Sequence, residues 1–429
     1  MAAEKHIIKN FKSLAKSALR RDALSILEAG IRAANPRNGI ARLVKKRGDF
    51  IFFGNKKINR KNYDHIYVIG IGKASAAAAS ELERLLGEDI AGGVVLDVKK
   101  VKLRRVKSIA GTHPLPSLVN MRATGEIMAL LKNIDSRDLV IAIISGGGSA
   151  LLCWPYDIKC NELSAISKVL MKKGATIREI NTVRKHLSEI QGGQFARLAY
   201  PATVVGLIFS DIPGNDLGLV ASGPTVRDAT TVTDAAHVLA KYNVLKSCSI
   251  KGCDLKETPK DPLYFKKVTN MLAGSNLDSV KAMAEEAKKR GWRVRVLSVK
   301  MFGEAAKAGK MLADAPKEGE AVIAAGETTV TVKGKGKGGR NQELALSSLL
   351  HLRKGGLVIS LASDGIDNSE AAGGIADELT LKSAAKAGIN PKRYLTDNDS
   401  NSFFKKLRQA IITGPTGANV SDIIVSLRR

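Results

Sequence analysis

The sequence predicts an α/β protein of two domains built on parallel sheets, residues 1–245 and 262–429. Three observations carry that expectation. Short apolar runs recur, each followed by a glycine-containing turn and then by a helical repeat. The runs are apolar at nearly every position, as strands buried on both faces must be. Residues 246–262 (KSCSIKGCDLKETPKDP) are polar, hold two prolines and lack an apolar period, which marks a linker in a chain of 429 residues.

Taken in order, 6–34 reads as one amphipathic helix, with Ile7, Phe11, Leu14 and Ala18, then Leu24, Leu27 and Ile31, on a helical repeat that Asn35 and Pro36 end. Strands are expected at 65–71, 93–98, 138–144 and 203–209. Beyond the linker they are expected at 270–274, 293–297, 321–325 and 357–362, with two more inside 411–427 flanking the turn Gly414-Pro415-Thr416-Gly417. No repeat at a solenoid period is present.

Composition narrows the class. Lys plus Arg number 68 against 41 Asp plus Glu, a net charge of +27, so the surface attracts anions of any kind. A nucleic-acid binder would also carry a recognition helix or exposed aromatics for stacking, and aromatics are only 4% here, so no specific nucleic-acid partner is expected. No run of about 18 apolar residues occurs, which excludes a membrane-spanning helix. The N-terminal stretch lacks the apolar core of a secretory signal. Cys153, Cys160, Cys248 and Cys253, spaced C-x6-C and C-x4-C, fit neither a zinc ribbon nor a disulfide framework and are expected as reduced thiols of a cytoplasmic protein.

In parallel sheets, ligands bind beyond the carboxyl ends of the strands, where glycines let backbone N–H groups converge on an anion. Ser145-Gly146-Gly147-Gly148-Ser149 follows a strand in this way and reads as a phosphate nest, or as a tight packed turn. Gly70-x-Gly72-Lys73-Ala74-Ser75 has Ser75 where a dinucleotide fingerprint has its third glycine. Lys73 stands at a strand end, where it requires an anion or carboxylate unless it snorkels to water. In 333–343 (KGKGKGGRNQE), cation alternates with glycine before a helix; Gly338, Gly339, Arg340 and Asn341 are positioned to meet polyphosphate, or to form a plain turn. Asp211 and Asp364 follow apolar strands, where carboxylates hold Mg²⁺ or accept a substrate proton, though Asp is also an ordinary turn residue. Asn181 and Arg184 lie on one helix, and Arg184 is placed to grip a carboxylate or to face solvent. His113, in the rigid turn 111–116, reads as structural more readily than catalytic.

These motifs, in order, are VIGIGKAS (68–75), THPLP (112–116), SGGGSALL (145–152), INTVRKHLSEIQGG (180–193), SDIPGND (210–216), ASGPT (221–225), AGSN (273–276), GETTVTV and KGGRNQELAL (326–346), SDGIDNSEAAG (363–373) and TGPTGANVSDI (413–423). Together they resemble the MOFRL-domain glycerate 2-kinase family, archaeal type, over nearly the whole chain. The resemblance implies a Rossmann-like N-terminal domain, a C-terminal domain of MOFRL topology and a cleft between them. It implies ATP-dependent phosphorylation of D-glycerate at its 2-hydroxyl, giving 2-phosphoglycerate, with Mg²⁺ or another divalent cation. The family's catalytic lysine falls on Lys73 and its catalytic arginine on Arg340. Aspartates frequent in the family are replaced by Ser117 and Asn215, so the metal role is placed on Asp211 and Asp364, with Asp211 also catalytic. The expected partners are D-glycerate and ATP, with a homodimer left open. The alternative is an NAD(P)H-dependent hydroxypyruvate reductase, which the incomplete glycine fingerprint and the lack of a histidine–carboxylate pair disfavour.

Overall fold

A computed structural model describes residues 6–212, 214–248, 250 and 252–429. Residues 249 and 251 of the expected linker, and 1–5 of the N-terminal stretch, lie outside the described residues. The chain divides into two compact units, Pro36–Ala273 (the central unit) and Met1–Asn35 with Gly274–Arg429 (the terminal unit).

In the central unit, the helix Pro36–Leu43 leads into an antiparallel meander of β1 (Val44–Arg47), β2 (Phe50–Phe53) and β3 (Lys56–Asn59). The sequence reading had no strand here, because β1 and β3 are broken by lysines and the apolar run of β2 is only four residues long. A six-stranded sheet follows, made of β4 (His65–Ile71), β5 (Ile90–Asp97), β6 (Lys107–Ala110), β7 (Asp138–Ser145), β8 (Thr203–Phe209) and β9 (Val268–Gly274). Its order is β6-β5-β4-β7-β8-β9, and the pairs β4/β5, β5/β6, β4/β7 and β7/β8 are parallel. From β4 the chain winds outward through β5 and β6, then returns to place β7 on the other side. The switch point therefore lies between β4 and β7, paired from His65–Asp138 to Ile71–Ile144. The β7 strand is buried throughout, and its two faces feed separate cores, one through Ile141 and Ile143 and the other through Val140 and Ala142.

The terminal unit holds β10 (Arg293–Met301), β11 (Glu320–Gly326), β12 (Gly356–Ala362), β13 (Gly373–Asp377), β14 (Ala410–Ile411) and β15 (Asp422–Arg428), in the order β10-β11-β15-β12-β13-β14. Only β10/β11 is parallel; β15 runs antiparallel to both β11 and β12. One face packs under the helices Ala18–Ala33 and Asn276–Lys289 through Leu24, Leu27, Met283, Ile323 and Val425.

Two expectations about the ends of the domains are corrected. The N-terminal segment is not part of the first domain: Arg20, fully buried, makes paired bonds from Nε and Nη2 to Asp377 (2.7 and 2.6 Å) and a third from Nη1 to Gln409 (2.7 Å), tying it to the terminal unit. The division after Ala273 also falls later than the polar stretch, because β9 completes the first sheet. The expected single helix over 6–34 is Phe11–Leu14 and Ala18–Ala33, interrupted where Ser17 caps the second by accepting from Arg20 N (3.2 Å). Cys153 and Cys160, expected as thiols, are joined in a disulfide, since the turn leading into the helix Cys160–Lys172 brings their Cα atoms to 6.1 Å. Cys248 and Cys253 are free.

Candidate functional site

Lys73 follows β4 and the Ser145–Ser149 turn ends β7, so both stand at the switch point, where such sheets bind ligands. The two turns are locked together. Lys73 N donates to Gly146 O (3.0 Å), Ala74 N to Ser145 Oγ (3.1 Å), and Ser145 Oγ to Ile71 O (3.2 Å). A Cβ on Gly72, whose φ is +106°, would lie 2.3 Å from Ser145 Oγ, so this position requires glycine. Ser75, in place of a third glycine, closes the turn by donating to Gly72 O (2.7 Å). Gly147 (φ +80°) leaves room for the Lys73 side chain: a Cβ there would lie 3.1 Å from Lys73 Cε and 3.3 Å from His113 Cδ2.

Around Lys73 the electrostatics are one-sided. Among the described residues, its ammonium makes no hydrogen bond or ion pair. Partial desolvation, reinforced by the charges of Lys73 and Arg184, draws His113 down to about 4, so this imidazole is neutral near pH 7. Arg184 is held by a single side-chain bond, Nε to Ser167 Oγ (3.0 Å), and burial lowers its pKa. Ser149 Oγ meets Ser222 Oγ (3.0 Å), which bonds Asn181 Oδ1 (2.5 Å). Ala221, Ser222 and Gly223 adopt φ of +50°, +59° and +59°, a strained run that presents the Ser222 hydroxyl. Two cations, a neutral imidazole and linked hydroxyls over glycine backbone form a place prepared for an anion. Asp211 lies half-buried two residues past β8.

The terminal unit carries a different arrangement. Antiparallel β15 begins where β11 and β12 end, pairing Asp422 with Gly326 and Ala362. At that edge Arg340, first residue of the helix Arg340–Leu349, donates from Nε and Nη2 to Asp422 (2.6 and 3.1 Å) and pairs through Nη1 with Glu327 (2.6 Å). Three of its five N–H groups are thus committed and two remain. Burial opposes its charge, but Asp422 and Glu327 outweigh that and raise its pKa. Full burial pushes Asp422 up to about 6 despite the guanidinium. Arg340, Gly338, Gly339 and Asp364 line one cavity of about 640 Å³ together with Glu343 and Asp367. Asn341 does not face it. Its N and Nδ2 donate to Asp367 Oδ1 (3.1 and 3.2 Å) and its Oδ1 accepts from Ser360 (2.5 Å), so its side chain is occupied within the core.

The alternation of lysine and glycine has a packing cause. Asn398 Oδ1 accepts from Lys333 N and Gly334 N (2.7 and 3.0 Å), Asp397 Oδ1 from Lys335 N (3.1 Å), and Asp399 Oδ1 from Lys337 N (3.0 Å). A Cβ on Gly334 or Gly336 would come within 2.4 Å of Asp397 or Asp399. The glycines therefore face 397–399 while Lys333, Lys335 and Lys337 are exposed on the other side. The strap is clamped, and these amides are already bonded rather than open to phosphate.

Sequence reasoning singled out Lys73, Ser145–Ser149, Asn181 and Arg184, which meet in the central unit, and Arg340, Gly338, Gly339 and Asp364, which meet in the terminal unit. It passed over Glu327, Asp422 and the 397–399 clamp, read His113 as structural rather than catalytic, and gave Ser222 no role. The motifs THPLP, ASGPT and VSDI contain three of these residues, but only the fold shows what they touch.

A switch-point anion site in one α/β unit, with a carboxylate-held arginine in the other, defines a phosphate-handling α/β protein. Residues 22–251 match the family described as Domain of unknown function (DUF4147), and residues 320–422 match the MOFRL family. A D-glycerate 2-kinase of Thermotoga maritima is 36% identical over 96% of this chain and 98% of its own length. A relative from Agrobacterium vitis, named provisionally as a hydroxypyruvate reductase, is 37% identical over 83% of this chain and 85% of its own. The crystal structure of a glycerate kinase from Thermotoga maritima superposes with a TM-score of 0.82 at 33% identity, covering 97% of this chain and all of that one. This chain belongs to the MOFRL-domain glycerate 2-kinase family.

Proposed function

We propose that this protein transfers the γ-phosphoryl group of ATP to the 2-hydroxyl of D-glycerate, giving 2-phosphoglycerate. One observation carries the reading: Lys73, with no carboxylate among the described residues paired to its ammonium, stands over the Gly147 turn beside Arg184 and a neutral His113. Phosphoryl transfer asks chiefly for positioning and for neutralisation of charge on the equatorial oxygens, and unpaired cations over open backbone supply both. Lys73 is assigned to the transferring phosphoryl group. Arg340, oriented by Asp422 and Glu327, is the second cation, with two N–H groups left to donate. Asp211 is assigned to the glycerate hydroxyl, whose proton it accepts or orients.

Among the described residues, no three His, Cys, Asp or Glu side chains gather into a protein-only metal site. Mg²⁺ commonly takes one or two carboxylates and fills its other positions with phosphate and water oxygens, so it needs no such cluster. Asp211 in the central unit and Asp364 in the terminal unit are each assigned as a carboxylate ligand for it, and when bound it would neutralise phosphate charge. Among the described residues no helix is long and apolar enough to cross a membrane; the kinase reading assigns the protein to the cytoplasm.

Incubation with ATP, Mg²⁺ and D-glycerate, resolving 2-phosphoglycerate from 3-phosphoglycerate, tests reaction, substrate and regiochemistry together. Formation of 2-phosphoglycerate is expected. NADH consumption with hydroxypyruvate and no ATP turnover would overturn the reading in favour of a reductase.

A further inference from the structure

We propose that the apolar pocket beside Ser149 and Arg184 in the central unit receives the purine ring of the nucleotide donor. The inference rests on the kinase reading and decides which unit holds the base. The pocket measures about 200 Å³ and is walled by Pro114, Leu115, Leu152, Leu163 and Met171. That is smaller than sites enclosing a whole drug-sized ligand, roughly 300–1,000 Å³, so it suits a ring system whose sugar and phosphates remain outside.

Four features favour this occupant. Ser149 and Arg184 line the pocket and also belong to the anion site, so a ligand with a flat apolar end and an anionic tail spans both without a break. Of the two substrates only the nucleotide has such an end, since every carbon of glycerate bears oxygen. Leu115 and Met171 are 45% and 55% exposed at the rim, apolar surface that a bound ring would cover. The Arg184 guanidinium, fixed by its bond to Ser167, offers a planar cation against which an aromatic ring stacks. The cavity at Arg340 also has exposed apolar residues, Val332 and Ile366, but Asp364, Asp367 and Glu343 line it and would repel an unshielded phosphate tail.

The pocket also contains a selectivity element. Ser164 Oγ donates its proton to Cys160 O (2.8 Å), which leaves its lone pairs to accept. An acceptor there favours a purine with an amino group over one with a carbonyl at the facing position, and hence ATP over ITP.

The test uses the full chain and two variants, Ser164→Phe, which fills the pocket, and Met171→Trp, which narrows its rim from an exposed position. Calorimetry with adenosine, which lacks phosphate, is expected to show binding to the wild-type protein weakened at least tenfold in both variants, with affinity for inorganic tripolyphosphate within twofold. In turnover the KM for ATP should rise at least tenfold and that for D-glycerate less than threefold, and Ser164→Ala should narrow the preference for ATP over ITP. Adenosine binding unchanged in Met171→Trp, or a rise confined to the glycerate KM, overturns the assignment. If the wild-type protein fails to phosphorylate glycerate while the variants still lose adenosine, the kinase reading falls and the purine pocket stands.

Discussion

Lys73 and Arg340 are both cations assigned to one reaction, and they are housed in opposite ways. Among the described residues Lys73 has no carboxylate partner, and its neighbours are a second cation, Arg184, and a histidine held neutral. Arg340 is gripped by Asp422 and Glu327 before any substrate arrives. The first arrangement keeps a strong anion-binding potential at the cost of local repulsion, which a phosphate relieves on binding. The second gives up part of its attraction for anions and gains a fixed orientation. The contrast separates a cation that attracts from one that aligns.

The largest expected effect falls on the attracting cation. Lys73→Met should lower kcat by about 10³-fold or more, because one missing preorganised charge costs on the order of 10²–10³ and positioning is lost with it. Thermal melting should show no loss of stability, since no ion pair is broken. Equal losses of activity and stability would erase the contrast with Arg340. Asp422→Asn comes next. It keeps the shape but removes the charge that orients Arg340, and a fall in kcat of about 10- to 100-fold, with KM for both substrates changed less, is expected in steady-state kinetics.

The pH dependence sharpens the same point. Asp422 titrates near 6 in the folded protein, against an ordinary value of 3.8. Activity should therefore fall as pH drops through about 6, when Asp422 takes up a proton and loosens its hold on Arg340. The raised value also means that the folded state binds this proton more tightly than the unfolded chain. The contribution of this group to stability thus declines as pH rises from 3.8 to about 6, and Asp422→Asn should flatten that window in melting curves. His113, drawn down to about 4, should contribute no limb above pH 5, and a wild-type inflection near 6.5 that vanishes in His113→Asn would contradict its neutrality.

The smallest effect concerns the strap. Asn398→Ala removes the acceptor for two strap amides and the bond to Glu343 (3.0 Å). Trypsin should then cut faster after Lys333, Lys335 or Lys337, with little change in melting temperature. Unaltered digestion would show that Asp397 and Asp399 hold the strap without Asn398.

Much of this was legible in the chain itself. The expected strands at 65–71 and 203–209 coincide with β4 and β8, because strands buried on both faces announce themselves as unbroken apolar runs. Glycine-rich turns after β4 and β7 marked Lys73 and Ser145–Ser149, since a tight turn beside a neighbouring strand needs glycine whatever else the fold does. The short strands β1, β3 and β6 stayed hidden because their lysines interrupt any apolar run, and β2 because its apolar run is only four residues long.

Local order along the polymer thus determined which residues form the parallel sheet and which of them lie at its ligand-binding edge. Tertiary structure alone decided the partners. Arg340 meets Asp422 from 82 positions away, Arg20 meets Asp377 from 357, and the strap meets residues about 62 positions on. Charge pairing depends on distance in space, which sequence spacing does not encode. Whether a cation is free or held was therefore fixed by the folded chain, and that distinction separates Lys73 in the central unit from Arg340 in the terminal unit.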